Sequence, residues 1–207
     1  IYDCFQGKYE LQKVLGAGGY GQIFRAFDSL GSGTFEDYMF IVMELLGKSL
    51  SDLRKKNEGR RFDSITALRV GLMMTDSLKV LHDMGYIHRD IKPGNMCIGA
   101  TPESVRKVYL LDFGLARKFR RNGKVMRRGK VGFRGTLRYV SLNVHERRDQ
   151  YCCGYRLSGM STELQEYYTY CYDNVEDPNQ PNYEYLKDII KKCLPIAFDF
   201  DSPMPWE

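Results

Sequence analysis

The sequence lacks any apolar run that approaches the roughly 18 residues that a membrane-spanning helix needs. It also lacks an apolar stretch behind a basic start, so no secretory signal is predicted. Because the chain opens on Ile1, we expect this start to lie inside a longer protein. These absences predict an intracellular protein, cytoplasmic or nuclear, without a membrane partner.

The six cysteines lack the spacing of a metal site, since they form no Cys-x-x-Cys pair and have no histidines at metal-ligand spacing. In an intracellular protein such cysteines are reduced thiols rather than a disulfide framework, and a zinc site is not expected. The 207 residues, 43% of them hydrophobic, are enough for one large globular domain or two small ones.

Acidic residues are absent from one long segment. Ten Lys or Arg residues and no Asp or Glu lie between Gly114 and His145, although the net charge of the whole chain is only +5. A local basic field attracts an anion, which here means nucleic acid, an acidic protein or a phosphorylated protein. A solvated loop is the simpler interpretation of the charge alone. Nucleic-acid binding is disfavoured because no stacking motif accompanies the charge.

The first part of the chain has the pattern of β-strands. Apolar residues alternate around a glycine cluster over Tyr9–Phe27, which predicts two strands joined by a flexible turn. Asp28–Thr34 has the composition of a turn. The apolar run Tyr38–Leu45 is short enough to be a buried strand.

The later part of the chain is predicted to be mainly helical. Apolar residues recur at helical spacing over Ile65–Met84, so we expect a helix buried on most sides, capped by Ser64 and stopped by Gly85. Tyr109–Leu111 is predicted to be a short strand, and Asn182 can cap a further helix. Strands followed by helices, short strands and more helices suit an α+β protein in two lobes.

The segment His88–Asn95 (HRDIKPGN) carries the sharpest chemical pattern, directly after the predicted buried helix that can hold it in place. Asp90 can accept a proton from a substrate hydroxyl, and Lys92 can neutralise a transferring phosphate. Asn95 can ligate Mg²⁺ through its carbonyl oxygen. An ordinary polar turn would not need these functional residue types in this order and spacing, so the pattern indicates phosphoryl transfer.

A second motif, Asp112–Gly114 (DFG), directly follows the predicted short strand. A carboxylate at the end of a buried strand is placed to bind a metal ion that bridges two phosphates. Alone, this tripeptide would usually be a turn. Downstream of Asp90 and at the end of a strand, it supports the first motif.

The glycine cluster Gly16–Gly21 (GAGGYG) suits a loop whose backbone approaches phosphates without interference from Cβ atoms. The pattern alone would equally suit a dinucleotide-binding fold. That alternative requires a helix after the glycines, whereas Gln22–Ala26 is predicted to be a strand.

With these motifs in place, the sequence resembles a eukaryotic protein kinase of the casein kinase one group, closest to its tau-tubulin kinase-like branch. The resemblance spans nearly the whole chain and rests on Leu15–Ile23, Val42–Leu50, Ile87–Asn95, Leu111–Arg117, Gly132–Asn143, Pro181–Leu186 and Pro205–Glu207. It implies one kinase domain over residues 1–207, with a small β-rich lobe over 1–44 and a larger, mainly helical lobe over 45–207.

The resemblance also implies roles for individual residues. Asp90 would be the catalytic base, Lys92 would contact the transferred phosphate, and Asn95 and Asp112 would hold Mg²⁺. The residues expected to bind ATP are Leu15, Gly16, Ala17, Gly18, Gly19, Tyr20, Gly21, Ile23, Met43, Glu44, Leu46 and Cys97. The basic segment Arg117–Arg138 would favour acidic or already phosphorylated protein substrates.

Two parts of the expected domain are missing from the sequence. In the family, a lysine after the glycine-rich loop grips the ATP phosphates, and a following helix supplies its glutamate partner. Here no lysine lies between Lys13 and Lys48, and Glu36 has no helical pattern around it. Near residue 150 the long apolar helix of the larger lobe is also missing, and the chain continues with Tyr151–Arg156.

Both gaps have clean edges, as skipped exons or a faulty gene model would leave. We expect the missing lysine pair to lower the reaction rate by several orders of magnitude. The missing helix would remove a packing partner of Ile65–Met84, at a cost on the order of 10 kcal/mol or more. The predicted function is a serine/threonine protein kinase, and the alternative is a catalytically impaired, pseudokinase-like scaffold with an acidic partner.

Overall fold

The computed structural model describes residues 4–5, 9–18, 21–27, 31–126, 132–139, 161–172 and 181–207. Gly19, Tyr20 and the predicted gap near residue 150 lie outside the described residues. The chain divides into two units, Ile1–Leu46 and Gly47–Glu207. The first unit is rich in strands and the second contains the helices, which agrees with the predicted α+β class.

The first unit consists of strands and turns. Its strands are β1 (Cys4–Phe5), β2 (Tyr9–Gly18), β3 (Gly21–Phe27), β4 (Gly31–Phe35) and β5 (Tyr38–Val42). Strands β1, β2 and β3 form an antiparallel sheet in that order, and β4 and β5 form a separate hairpin. The pairing of β2 with β3 confirms the two strands predicted over Tyr9–Phe27.

Two predictions for the first unit are wrong in part. The turn predicted over Asp28–Thr34 is wrong for its second half, because Gly31–Phe35 is a strand and the turn follows it at Glu36, which has a φ of 50°. Strand β5 forms as predicted but is not buried, since Met39 is 88% exposed and Ile41 is 73% exposed. In a two-stranded sheet the side chains are buried only where another element covers them.

The second unit combines helices with short sheets. Its strands are β6 (Leu46–Ser49), β7 (Tyr86–Ile87), β8 (Met96–Gly99), β9 (Val108–Leu110), β10 (Arg117–Lys118), β11 (Arg120–Arg121) and β12 (Lys124–Val125). Its α-helices are α1 (Leu50–Lys56), α2 (Ser64–Asp83), α3 (Thr162–Tyr172) and α4 (Tyr183–Lys192). The sheets pair in the orders β6–β8–β9, β7–β10 and β11–β12. Within the described residues, no helix is both long and apolar enough to cross a membrane.

The caps of the helices follow from local chemistry. The N-cap of α2 is Asp63 rather than the predicted Ser64, and its carboxylate accepts a hydrogen bond from the Thr66 N–H at 2.9 Å. A carboxylate at this end also interacts favourably with the helix dipole, which a serine hydroxyl does not. After α2, Gly85 adopts a φ of 82°, which confirms the predicted stop. Asn182 caps α4 as predicted.

Two hydrophobic clusters build the second unit. The first lies between α1, α2 and the β8–β9 sheet and contains Leu50, Leu53, Met74, Ile91, Met96, Ile98 and Val108. The second joins Leu72 of α2 to Ile190 and Leu194 at the end of α4. Helix α4 therefore covers part of the apolar surface of α2.

The remaining face of α2 is more open than predicted. Val80 and Met84 are exposed, and together with Leu110 and Phe113 they line an apolar groove of about 510 Å³ between α2 and β9. The expectation that α2 is buried on most sides is therefore wrong for this face.

His82 lies in the last turn of α2, where it contacts both α4 and the residue that follows β10. Its Nδ1 is hydrogen-bonded to the Tyr183 hydroxyl of α4, and its ring packs edge-on against Phe119. Burial, and then the charge of Arg120, lower the pKa of His82 to about 4, against an opposing effect of Asp83. The folded protein therefore holds this imidazole neutral.

The stability of the protein should consequently fall in acid. The unfolded chain protonates His82 near pH 6.5 and the folded chain only near pH 4, so the free energy of unfolding decreases as the pH falls through this window. Urea unfolding should show wild type losing about 2 kcal/mol between pH 7 and pH 5, relative to a His82→Gln variant. A difference between the two proteins that stays constant over this range would contradict the assignment.

Candidate active site

His88 links the two motifs that the sequence analysis singled out. The Asp90 N–H donates to His88 Nδ1 at 3.3 Å, and His88 Nε2 lies 2.9 Å from the Leu111 carbonyl oxygen. Because Nδ1 accepts, Nε2 carries the proton and donates to Leu111. The ring is 2% exposed, and burial is the largest effect on its pKa, which therefore lies below the ordinary value for histidine. The Leu111 hydrogen bond and the charges of Asp112 and Asp90 act in the opposite direction. Both carboxylates therefore act on the same buried imidazole.

Asp90 lies at the centre of a polar network and is 7% exposed. Its Oδ1 accepts hydrogen bonds from the Thr136 N–H at 2.9 Å and from the Thr136 hydroxyl at 2.8 Å. Its Oδ2 accepts from Lys92 Nζ at 2.6 Å and from Asn95 Nδ2 at 3.2 Å. The structure thus brings three of the four predicted catalytic side chains into direct contact.

The network sets the charge of Asp90. Burial raises the pKa of its carboxyl group, but hydrogen bonds from Lys92 and Thr136 outweigh that effect and hold the pKa below its ordinary value. Asp90 is therefore ionised at neutral pH and is a weak base. Such a carboxylate can orient a substrate hydroxyl through a hydrogen bond and take its proton as the new bond to phosphorus forms.

Asn95 is fixed by the same network. Its Nδ2 donates to the carbonyl oxygen of Asp90 at 2.9 Å as well as to the carboxylate, which sets the orientation of the amide. The other end of the amide is an oxygen, the atom that a hard cation prefers. The Leu111 N–H donates to the Asn95 carbonyl at 2.8 Å, so the end of β9 is tied to Asn95.

Asp112 follows this strand end with φ 66° and ψ 68°, in the left-handed region. A non-glycine residue rarely adopts this conformation, and such residues cluster at functional sites. Its side chain is exposed, and Oδ1 accepts a hydrogen bond from the Gly114 N–H at 3.4 Å. The carboxylate is therefore turned out of the core at the point where the sequence predicted a metal ligand.

The oxygen donors of Asn95 and Asp112 are of the kind that Mg²⁺ prefers. Among the described residues, no group of three or more His, Cys, Asp or Glu side chains forms a metal cluster. An ion held by Asn95 and Asp112 would therefore need further oxygen ligands from phosphates or water. Mg²⁺ commonly binds in this way, through one or two protein oxygens plus substrate phosphates.

The predicted ATP-binding residues are distributed over both units. Leu15, Gly16, Ala17 and Gly18 lie in β2, Gly21 and Ile23 in β3, Met43 and Glu44 after β5, Leu46 at the start of β6 and Cys97 in β8. Leu15, Ile23 and Met43 are exposed, and Cys97 is half-buried. Burial, and secondarily Asp52, raise the pKa of the Cys97 thiol. The roles of these residues in binding ATP stay predictions.

Thr136 is the site residue that the sequence analysis missed. Its hydroxyl accepts a hydrogen bond from Lys92 Nζ at 2.9 Å and donates to Asp90. The signal was present, because Thr136 lies within Gly132–Asn143, one of the segments that carried the resemblance. Its contact with Asp90 joins residues far apart in the chain, and no local pattern indicates such a pairing.

The basic segment Arg117–Arg138 begins shortly after Asp112 along the chain and contains Thr136. The structure describes it except for residues 127–131. Its exposed basic residues are Lys118, Arg121, Lys124, Arg134 and Arg138. Just before this segment, the Leu115 carbonyl accepts a hydrogen bond from Arg89 Nε at 2.6 Å. We call the five exposed residues the basic surface.

Comparison with known proteins gives consistent matches. Residues 31–195 match the family model of the protein kinase domain. A Dictyostelium discoideum protein named for a serine/threonine-protein kinase is 47% identical over 119 residues, which are 56% of this chain and 24% of that protein. A Caenorhabditis elegans protein named for casein kinase I is 32% identical over 190 residues, which are 70% of this chain and 56% of that protein.

A further Caenorhabditis elegans relative is named an inactive tau-tubulin kinase. It is 38% identical over 125 residues, which are 55% of this chain and 43% of that protein. The chain thus spans between 24% and 56% of the length of these three relatives.

Proposed function

Because the chain belongs to the protein kinase family, we propose that it is a serine/threonine protein kinase that transfers the γ-phosphate of ATP to a protein hydroxyl group. The observation that carries the proposal is the buried network in which Asp90 contacts Lys92, Asn95 and Thr136. This network brings together a carboxylate, an ammonium group and an amide, and these are three of the groups that protein kinases use for phosphoryl transfer.

Each side chain has a task in the proposed reaction. Mg²⁺-ATP, when bound, supplies the phosphoryl group and neutralises part of its charge. Asp90 orients the acceptor hydroxyl and takes its proton. Lys92, now 2.6 Å from Asp90 Oδ2, is long and flexible enough to turn its ammonium group towards the transferred phosphate. Asn95 and Asp112 hold the metal, and Thr136 keeps the Asp90 carboxylate in position.

We also propose that this chain is a shortened form with low activity. No lysine lies between Lys13 and Lys48 to grip the ATP phosphates. The described residues of the first unit include no helix, and Glu36 lies in a hairpin turn. Without that lysine and its partner, positioning and charge stabilisation are lost, so the rate is expected to fall by several orders of magnitude.

The basic surface supports a proposal about the substrate. It combines arginine and lysine side chains that are exposed, and guanidinium groups match the geometry of phosphate and carboxylate oxygens. We therefore propose acidic or phosphorylated proteins as substrates. An intracellular location, cytoplasmic or nuclear, is proposed with them because ATP and reduced thiols occur there.

A pseudokinase-like scaffold is the second candidate. The missing lysine favours it, and one relative carries the name of an inactive kinase. A scaffold would hold an acidic partner on the basic surface in a salt-sensitive way and would show no turnover. Phosphate transfer to a protein by the purified chain, seen by mass spectrometry, would decide for the enzyme.

Asp112→Ala is expected to weaken Mg²⁺-dependent ATP binding at least about tenfold, because it removes one of two proposed metal ligands. Titration calorimetry with Mg²⁺, and again with EDTA, measures the effect. Asp188→Ala removes an exposed carboxylate, paired with Lys191, from α4 and should leave binding unchanged. ATP binding by wild type that EDTA does not affect would overturn the metal assignment. Absence of both ATP binding and transfer would overturn the kinase proposal for this chain.

A further inference from the structure

In the part of the chain that the structure describes, four donors already fill the acceptor positions of the Asp90 carboxylate. An ionised carboxylate offers about four lone-pair positions, two on each oxygen. Oδ2 accepts from Lys92 Nζ at 2.6 Å and from Asn95 Nδ2 at 3.2 Å. Oδ1 accepts twice from Thr136, through its N–H at 2.9 Å and its hydroxyl at 2.8 Å. The hydroxyl of a protein substrate can therefore bond to Asp90 only after one of these donors leaves.

The Thr136 hydroxyl is the one donor of the four that belongs to the chemical class of acceptors in the proposed reaction. The other three are a backbone N–H, an ammonium group and an amide. The hydroxyl donates to Asp90, the proposed base, and its oxygen lies 2.9 Å from the ammonium group of Lys92, which is proposed to contact the transferred phosphate. Thr136 thus occupies the place between base and cation that a substrate hydroxyl needs.

Backbone contacts also hold Thr136 at this place. Its N–H donates to Asp90 Oδ1, and its carbonyl accepts from the Tyr139 N–H at 2.7 Å. The preceding residue, Gly135, has a φ of 99°, a conformation that favours glycine. The side chain of Thr136 is half-buried rather than enclosed. The hydroxyl can therefore react while the N–H keeps the Asp90 carboxylate in position.

We infer that Thr136 is an autophosphorylation site, whose hydroxyl accepts the γ-phosphate of an ATP molecule bound to the same chain. The inference rests on the proposed kinase function. The Thr136 oxygen forms a bond to the γ-phosphorus, the bond from this phosphorus to the oxygen that bridges it to the β-phosphate breaks, and ADP leaves. The hydroxyl proton passes to Asp90 and then to water. The ammonium group of Lys92 pairs with the phosphate that is transferred.

An acceptor that is already in place has the largest advantage in a chain of low activity. The loss of the lysine that grips ATP slows transfer to every acceptor, but Thr136 does not have to find the site by diffusion. Groups held together in one molecule react as if at concentrations far above those that an added peptide reaches. Transfer to Thr136 should therefore be at least about tenfold faster than transfer to an added peptide.

The test is incubation of the purified full chain, first treated with a phosphatase, with Mg²⁺-ATP and an acidic phosphoserine-containing peptide. Mass spectrometry of chymotryptic fragments locates the phosphate on the chain. We expect it on Thr136 rather than on the nearby Ser141, at a rate that does not change when the chain is diluted about tenfold. Asp90→Asn should slow the reaction by a factor on the order of 10² to 10⁴, which excludes a contaminating kinase.

Two substitutions separate the hydroxyl from the rest of the residue. Thr136→Ser keeps the hydroxyl and should still carry phosphate at residue 136. Thr136→Val has nearly the same shape and should carry none there. The control Thr101→Val removes an exposed hydroxyl that is hydrogen-bonded to Ser104 at 3.0 Å, away from any carboxylate base, and should leave Thr136 phosphorylated at the wild-type rate.

Four results would overturn the inference. If the peptide is phosphorylated while Thr136 stays unmodified or reacts more slowly, the inference is wrong and the kinase proposal stands. A Thr136 rate that rises in proportion to the chain concentration would show transfer between chains. Equal rates at Thr136 in Asp90→Asn and wild type would show that the contact with Asp90 does not direct the reaction. Absence of transfer to both acceptors would remove the kinase proposal for this chain, and the inference with it.

Discussion

Asp90→Asn is expected to lower phosphotransfer by a factor on the order of 10² to 10⁴ while leaving the binding of Mg²⁺-ATP within about twofold of wild type. Asparagine keeps one acceptor oxygen for Thr136 but cannot take a proton from the substrate hydroxyl. It also loses the charge that now holds Lys92 at 2.6 Å. The measurement is single-turnover transfer of ³²P from labelled ATP to a phosphoserine-containing acidic peptide, which suits an enzyme of low activity.

A matched variant separates the chemistry from general electrostatics. Asp83→Asn makes the same substitution at an exposed carboxylate, paired with Lys79 at 2.6 Å at the end of α2, and should leave the transfer rate unchanged. Equal rates for Asp90→Asn and wild type would remove Asp90 from the reaction. Loss of nucleotide binding in Asp90→Asn would instead show that Asp90 holds the fold of the site.

The pH dependence of transfer gives an independent check on the same residue. The pKa of Asp90 lies below its ordinary value of 3.8, so the carboxylate stays ionised throughout the usual assay range. Protonation of Asp90 should therefore produce no loss of rate between pH 8 and pH 5. The contradicting result is a rate that falls with a midpoint near pH 6 in wild type but shows no such fall in Asp90→Asn. Asp90 would then titrate near pH 6, which the observed hydrogen bonds do not allow.

The catalytic residues could be predicted because their roles are encoded in short spacings. Asp90, Lys92 and Asn95 lie within six residues of one another, and their contacts follow from one loop and a single turn of 3₁₀-helix. The ends of α2 and α4 at Gly85 and Asn182 were equally local, since each depends on the preference of one residue for a positive φ or a cap.

The features that the sequence did not reveal depend on distant segments or on competing neighbours. Thr136 reaches Asp90 across 46 positions of the chain. Asp63 and Ser64 are both good N-caps, and only the observed hydrogen bond decides between them. The apolar pattern of β5 predicted a strand correctly, but burial depends on which element covers it, and the pattern carries no information about that.

Arg69 is the clearest case of this kind, because it stands in the apolar helix α2 and yet is 7% exposed. Its Nη1 lies 3.2 Å from the Pro203 carbonyl, and its Nη2 donates to the carbonyls of Phe200 and Ser202 at 2.9 Å and 2.8 Å. The guanidinium also lies 5.6 Å from the centre of the Phe198 ring. One buried side chain thus satisfies the backbone of the C-terminal segment.

Arg69→Met is expected to lower the free energy of unfolding by about 3 to 5 kcal/mol, which is a large share of the stability of a typical domain. Methionine fills much of the same volume, but it removes the donor of three part-buried hydrogen bonds, and a hydrogen bond from a charged group contributes about 1.5 to 3 kcal/mol. Urea unfolding measures the loss. Limited proteolysis should show earlier cleavage between Phe198 and Pro203.

Arg106→Met tests whether burial, rather than the residue type, produces this effect. Arg106 also contacts the C-terminal segment, through an ion pair with Glu207 at 2.9 Å and a hydrogen bond from Nη1 to the Asp201 carbonyl at 2.5 Å, but its side chain is 43% exposed. An exposed ion pair contributes less than about 1 kcal/mol, because water competes for both charges. If the two variants lose the same free energy of unfolding, the carbonyls around Arg69 must bind water when the guanidinium is absent. The segment would then be held mainly by Trp206, whose Nε1 donates to the Val105 carbonyl at 3.0 Å. If Arg69→Met costs several times more, the buried guanidinium holds the segment.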